Sequence, residues 1–342
     1  MADRLAGLTR WRWNPGHGRG TGMQYAYDIE KESTVNIALK TDPPRILTVA
    51  ANGLEFCVET RGPADGEPVI FIMGLGAQMT LWPEALLDRY AADGYRVIRF
   101  DNRDIGLSTR LRARLEGHPL KAMALSRLGR PIPAPYTLHD MADDVCGLMD
   151  SLGLESAHIV GVSMGGMISQ VLAGNHPRRV RSATLVMTST NSPRLPMPRL
   201  ALVWRLSGVG VKGNDEDSVV ARSLDFWRAI QSPDYPTPPH EVRDRLINDY
   251  RRSYHPAGIL RQTRAILATG SLSPITRRIQ VPTSIIHGAA DPLVRPQAAE
   301  QLQYLIPHAR LKLIPGMGHD MPAPLLETIA GQSLATIRQA RG

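Results

Sequence analysis

The sequence predicts an α/β fold: a mostly parallel sheet with helices on both faces, interrupted once by a helical insertion. Three observations carry that expectation. Short apolar runs alternate with segments of helical spacing from Ile46 to about residue 188, and again from Thr283 onward, which is the pattern of βαβ units. Runs such as PVIFIM (68–73) and AHIVGV (157–162) lack the polar alternation of a half-exposed strand, as expected of strands covered on both faces. Between about 190 and 275 the chain turns Pro- and Arg-rich and offers helical pieces but no convincing strand.

Taken in order, residues 1–44 read as an N-terminal extension that mixes Gly, Arg, Trp and Pro without sustained periodicity. Trp11 and Trp13 there suit either packing on the body or a partner site. ILTVA (46–50) and LEFCVET flank Asn52-Gly53, the dipeptide favoured in two-residue hairpin turns. PVIFIM is the third strand; a helix is expected over 83–92 and a fourth strand over YRVIRF (95–100). TLHDMADDVCGLMDSLG (137–153) opens with Thr137 and has Asp140 three residues on, close to a capping box. Leu138, Met141, Val145, Leu148 and Leu152 then recur at helical spacing. AHIVGV is the next strand, followed by a helix ending at Pro177 and a strand at 180–187. After the insertion come TSIIHG (283–288), a helix at 296–305, ARLKLIP (309–315) and a closing helix at 322–340. The predicted organisation is therefore an α/β core of 45–189 and 276–342 with a helical insertion at 190–275.

Composition narrows the function classes. Hydrophobic residues make up 43% of the 342, enough for a sizeable core. No stretch approaches the ~18 apolar residues that cross a bilayer, and the N-terminus lacks the apolar run of a secretory signal; the expectation is a cytoplasmic protein without membrane attachment. The two cysteines, Cys57 and Cys146, lie in apolar periodic segments and read as buried free thiols. Lys and Arg (40) exceed Asp and Glu (32) by 8, yet the arginines are scattered and often beside acids, as in HEVRDRLINDYRR. With no zinc-finger spacing or RNA-binding aromatic motif, a solvated basic surface is expected rather than nucleic-acid binding.

The residues that suggest chemistry begin with IVGVSMGG (159–166). Ser163 sits between Gly161 and Gly165 where a strand ends and a helix begins, a sharp turn in which small neighbours relieve crowding and the hydroxyl meets a helix N-terminus. A serine hydroxyl is inert near neutral pH without a base, and the base needs an orienting acid. SIIHGAADPLV offers Asp291 after a buried strand, and LIPGMGHDMP offers His319 after Gly316 and Gly318. The chain order Ser, Asp, His is that of the α/β-hydrolase fold. Asp320 is the weaker rival as acid. His287 is expected to close the Asp291 loop by a hydrogen bond; His158 and His176 read as strand-start and helix-end residues. The developing oxyanion needs two N–H donors. The amides of Met164 and of Leu75, in the loop MGLGAQ (73–78), are the candidates, with Gly74 and Gly76 letting that loop approach. No Lys-Ser/Thr follows those glycines, so they form no phosphate loop. No metal-ligand spacing or cofactor motif is present.

On FIMGLGAQMTLWP, VIRFDNRDIGLST, AHIVGVSMGGMISQVLA, IIHGAADPLV and IPGMGHDMP the chain resembles the α/β-hydrolase superfamily. It looks most like the small-ester branch around aclacinomycin methylesterase, and secondarily like the enol-lactonase and cofactor-free haloperoxidase groups. The resemblance spans about 45–340. It implies an eight-stranded sheet with the family's nucleophile on Ser163, acid on Asp291, base on His319 and oxyanion loop at Gly74-Leu75. FDNRDIGLS resembles the family's loop after strand four with Asp104 in place of the usual glycine, and Met73 stands where many relatives carry histidine. Asp101 and Arg103 are expected to prop the oxyanion loop. The resemblance also makes 190–275 a cap in which Trp204, Phe226, Trp227, Tyr250 and Tyr254 either line an apolar pocket or form the cap's own core. Gly74, Gly76, Met79 and Trp82 are further substrate-binding candidates. The implied activity is hydrolysis of small to medium carboxylic esters without cofactor or metal. Lactone hydrolysis and perhydrolysis use the same triad, and a ligand receptor on this fold is the non-enzyme alternative. Oligomeric state is not legible.

Overall fold

The computed structural model describes residues 44–198, 202 and 213–341; the N-terminal extension up to residue 43 and Trp204 lie outside them. The hairpin expected around Asn52-Gly53 forms, with both residues at positive φ (51° and 75°), as a tight turn matched to strand twist requires. It joins β1 (Arg45–Ala51) to β2 (Leu54–Arg61). The other strands are β3 (Glu67–Ile72), β4 (Tyr95–Phe100), β5 (Ala157–Val162), β6 (Val180–Val186), β7 (Thr283–Gly288) and β8 (Arg310–Ile314). The eight form one sheet in the order β1-β2-β4-β3-β5-β6-β7-β8. Only the β1–β2 and β2–β4 pairings are antiparallel; the strands from β4 to β8 run parallel.

Because side chains alternate across a strand, each central strand feeds two cores. Ile70, Ile72, Ile159, Leu185 and Ile285 pack on one face with α3 (Leu138–Ser151), α4 (Met164–Asn175) and α9 (Gln297–Leu305). Val69, Phe71, Val97, Val160 and Val162 pack on the other with α1 (Glu84–Ala92) and α10 (Leu326–Gln339). Phe71 carries two edge-on ring contacts, to Trp82 and Tyr90 at 5.1 and 5.0 Å. The capping box of α3 is made: Thr137 N–H donates to Asp140 at 2.7 Å, and the Thr137 hydroxyl accepts from His139 N–H.

Helix α2 (Pro119–Arg127) follows β4 and was not foreseen. Between β6 and β7 the described residues contain helices and no strand: α5 (Glu216–Ile230), α6 (Pro239–Arg252), α7 (Pro256–Thr269) and the single turn α8 (Ser273–Thr276). Among the described residues no helix is long and apolar enough to cross a membrane.

Candidate active site

Parallel strands bring their carboxyl ends to one edge, so the loops after β3, β5, β7 and β8 converge there. The sharpest of them is at Ser163, with φ 54° and ψ −117°, directly before Met164 opens α4. Few non-glycine residues hold such a backbone unless their surroundings impose it. Here Ser163 N–H donates to Val186 O at 2.9 Å, and its carbonyl accepts from the Thr188 hydroxyl at 2.6 Å and from Met167 N–H. Gly165 lets the turn close: a Cβ there would lie 2.0 Å from Ile72 O at the end of β3.

The Asp291 and His319 loops are laced together by backbone bonds, Ala289 N–H to Ile314 O and Ala290 N–H to Met317 O, both 2.9 Å. Asp291 is fully buried. Its Oδ1 accepts two backbone amides, from Leu293 and Val294, at 2.8 Å each. That leaves Oδ2 for His319 Nδ1, 2.7 Å away, while His319 Nε2 lies 3.1 Å from Ser163 Oγ. A carboxylate can only accept from the ring, so Nδ1 carries the proton and Nε2 is left to accept from the serine hydroxyl. The structure thus brings together the three side chains expected from widely separated positions.

The two rivals take other partners. His287 Nε2 faces Val294 O at 2.8 Å, closing the Asp291 loop as expected; burial holds its pKa below the usual histidine range. Asp320 Oδ1 accepts Ser232 N–H at 2.8 Å and the Ser232 hydroxyl, away from the imidazole. Burial pushes its carboxyl above the ordinary range. The His319 loop is also tied to the end of α5: His319 N–H donates to Ile230 O at 2.7 Å and Gly318 N–H to Ser232 Oγ at 2.9 Å.

The loop after β3 lies against the serine. A Cβ on Gly74 would be 3.2 Å from Ser163 Cβ; Leu75 is the next residue of that loop, and Met164 follows the serine at the start of α4. Asp101 does prop this loop, accepting Met79 N–H at 2.8 Å. The Arg103 side chain does not: its guanidinium grips Asp144 of α3 through two 2.6 Å bonds and lies 5.0 Å from the Tyr136 ring centre. The neighbouring Asn102 holds Met73 O instead, at 3.0 Å. Helices α6 and α7 supply further props that sequence reading did not single out. Gln78 Nε2 donates to Asp249 O and Ser253 O at 2.6 and 3.0 Å, Arg252 pairs with Asp101 at 2.8 Å, and Gln262 accepts Gly76 N–H at 2.9 Å. Asp104, at φ 71°, spends its buried carboxylate on Arg261 of α7 and the Tyr136 hydroxyl.

Of the pocket candidates, Trp82 is corrected. It is 1% exposed and packs edge-on against Phe71 in the core under α1, because the chain after the loop turns inward to begin that helix. Met79 is likewise buried. Phe226 and Trp227 are half-buried on α5, Trp227 with Arg245 5.6 Å from its ring centre. Tyr250 and Tyr254 pair with each other at 5.1 Å, and the Tyr250 hydroxyl donates to Asn214 O. Ile259 of α7, not foreseen, sits over Gly76, about 3.2 Å from where a Cβ would stand. A cleft of about 610 Å³ lies between the end of α5 and the Asp291 loop, lined by Arg228, Gln231, Pro292 and Arg295 among others. Neither Ser163 nor His319 lines it, so it is separate from those two side chains. Among the described residues no group of three or more His, Cys, Asp or Glu side chains converges as metal ligands would.

A sequence profile described as the alpha/beta hydrolase fold matches residues 67–322, well over half of the chain. The chain belongs to the α/β-hydrolase fold family. This hydrolase is 26% identical over 300 residues to rhodomycin D methylesterase of Streptomyces peucetius, an alignment covering 81% of this chain and 93% of that protein. It is 24% identical over 267 residues to 3-oxoadipate enol-lactonase 2 of Acinetobacter baylyi, covering 78% and 87%. Among solved structures, the enol-lactonase from Burkholderia xenovorans LB400 superposes with TM-score 0.63 at 21% identity, over 85% of this chain and all of that one; the likeness is one of fold.

Proposed function

We propose that this α/β hydrolase cleaves carboxylic esters of small to medium size through an acyl-enzyme on Ser163. The observation that carries the reading is the unbroken line from Asp291 Oδ2 through His319 to Ser163 Oγ, at 2.7 and 3.1 Å. In this reading His319 Nε2 takes the hydroxyl proton as Oγ attacks the ester carbonyl, and Asp291 steadies the imidazolium that forms. The amides of Leu75 and Met164 hold the tetrahedral oxyanion, an arrangement in which each donor is worth roughly 3–4 kcal/mol of barrier. Collapse expels the alcohol, protonated by His319, and water repeats the cycle on the acyl-enzyme. The segment 190–275 acts as the cap, with Ile259 a wall of the site and Phe226 and Trp227 the aromatic candidates on α5. The likeness to rhodomycin D methylesterase favours methyl esters as the first substrates to try.

The test is turnover of p-nitrophenyl acetate and butyrate by the wild type and Ser163→Ala, followed by a panel of methyl esters, aryl esters and lactones. Wild-type hydrolysis with a loss of about 10⁴-fold or more in the alanine variant is expected. An alanine variant as active as the wild type would refute the nucleophile, and lactone turnover far above ester turnover would move the substrate class.

A further inference from the structure

The loop that faces Ser163 has the sequence Gly74-Leu75-Gly76, and two glycines around one residue give it little stiffness of its own. An N–H donor in a catalytic cradle must nevertheless be held close to its productive position, since a misplacement of about 1 Å can cost on the order of 10²-fold in rate. Something outside the loop must therefore hold it.

Gln262 of α7 meets that need. Its side chain is fully buried. Oε1 accepts Gly76 N–H at 2.9 Å and Nε2 donates to Arg103 O at 3.0 Å, so one amide bridges the loops after β3 and β4. The orientation of the amide is fixed by its partners, because a carbonyl oxygen can only accept and a backbone N–H can only donate. The helix that carries it has no slack. Gly258 lies so close to the chain at Asp104 that a Cβ would be 2.1 Å from Asp104 O. Arg261, next in sequence to Gln262, grips the Asp104 carboxylate at 2.8 and 2.7 Å. Ile259, one turn earlier, presses on Gly76 itself. An apolar side chain of the same length would fill the space but would leave Gly76 N–H and Arg103 O without this bridge.

We propose that Gln262 is a positioning residue for the oxyanion-binding loop: by fastening the Gly76 amide to the Arg103 carbonyl it keeps the neighbouring Leu75 amide aimed at Ser163. This rests on the reading of Ser163 as nucleophile and Leu75 as an oxyanion donor. Capturing Gly76 N–H also removes it as a competing donor, so the loop presents one amide to the oxyanion.

The experiment uses the full chain with Gln262→Met and Gln262→Glu beside the wild type and Ser163→Ala. Gln262→Met keeps the length and loses both hydrogen bonds; kcat for p-nitrophenyl butyrate is expected to fall about 10- to 100-fold, with KM within about threefold. Affinity for an alkylboronic acid, whose tetrahedral adduct on the serine occupies the same cradle, falls by a similar factor. A purely structural role would lower the melting temperature without that split. Gln262→Glu supplies a pH signature: the carboxylate still accepts from Gly76 but opposes Arg103 O, whereas the protonated acid restores donor and acceptor together. Its activity relative to wild type therefore rises as pH falls from 8 to 5, while the Met variant's ratio stays flat.

Wild-type kcat in folded Gln262→Met overturns the proposal. Should that variant fail to fold, a pH-independent ratio for Gln262→Glu overturns it. If Ser163→Ala is inactive while both Gln262 variants match the wild type, this inference alone fails; if Ser163→Ala matches the wild type, the catalytic reading fails and takes this one with it.

Discussion

Replacing Asp291 by asparagine tests the relay with almost no change of shape. Asp291 Oδ1 accepts two backbone amides, from Leu293 and Val294, at 2.8 Å each. The asparagine carbonyl oxygen must take that side, which leaves its NH₂ where Oδ2 now meets His319 Nδ1 at 2.7 Å. An NH₂ only donates, so Nδ1 must give up its proton and Nε2 must carry it. The imidazole then presents N–H to Ser163 Oγ and cannot accept the hydroxyl proton. Flipping the amide would restore the working tautomer, but it would set NH₂ against two N–H donors and strand both. At about 2–3 kcal/mol for each buried donor left without a partner, the flipped form lies about 4–6 kcal/mol up, a population of roughly 10⁻³ to 10⁻⁴ at 1.36 kcal/mol per decade. Asp291→Asn is therefore expected to lower kcat by about 10³- to 10⁴-fold, with KM and melting temperature nearly unchanged. Steady-state turnover of p-nitrophenyl butyrate reads the first two and a thermal melt the third. A folded variant within tenfold of wild-type kcat would refute the tautomer argument.

Asp104→Ala removes both carboxylate oxygens from Arg261, which is 5% exposed, and the acceptor of the Tyr136 hydroxyl. A buried charge left alone costs about 3–5 kcal/mol, to be read from urea unfolding midpoints; a loss under 1 kcal/mol would mean the pair is not what holds α7 to the loop after β4. Acid stability has a separate source at the amino end of β3. Burial opposes ionisation of Glu67, but His158, Arg181 and Arg341 around it outweigh that and bring its carboxyl down to about 2, from 4.5. The folded value lies below the unfolded one, so this contribution is complete above pH 4.5 and is lost as pH falls toward 2. Glu67→Gln should flatten the stability–pH curve between pH 4.5 and 2, and curves that stay parallel there would contradict the assignment.

The sheet was readable because its central strands are buried on both faces and must be written in apolar residues. β5, all six residues buried, is the clearest case. The placing of the serine and the aspartate was readable for a related reason, since each follows such a strand within a few residues; the histidine follows the mostly exposed edge strand β8 and was marked instead by Gly316 and Gly318 and by the chain order. The side chains that hold the site still were not readable. Gln262 binds Gly76 across 186 positions and Asp320 binds Ser232 across 88, separations that leave no local pattern. Arg103 was credited with a contact that belongs to Asn102, because adjacent residues in a tight loop point opposite ways. Trp82 looked like a pocket wall from its place after the glycine loop, but a large ring there is also the natural seed for the core beneath α1. Helix α2 was passed over because its apolar residues make no clean stripe.

Ser232, Asp249, Arg252 and Gln262 all lie on the stretch between β6 and β7, and each fastens the His319 loop, the loop that faces Ser163 or a prop of that loop. That stretch is consequently no interchangeable part. A chimera that borrowed a relative's version to change substrate taste would inherit new walls and lose the guy-ropes. Transplanting the Ser232, Arg252 and Gln262 side chains along with the graft, and keeping the backbone path that presents Asp249 O, is the condition for keeping such a hybrid alive.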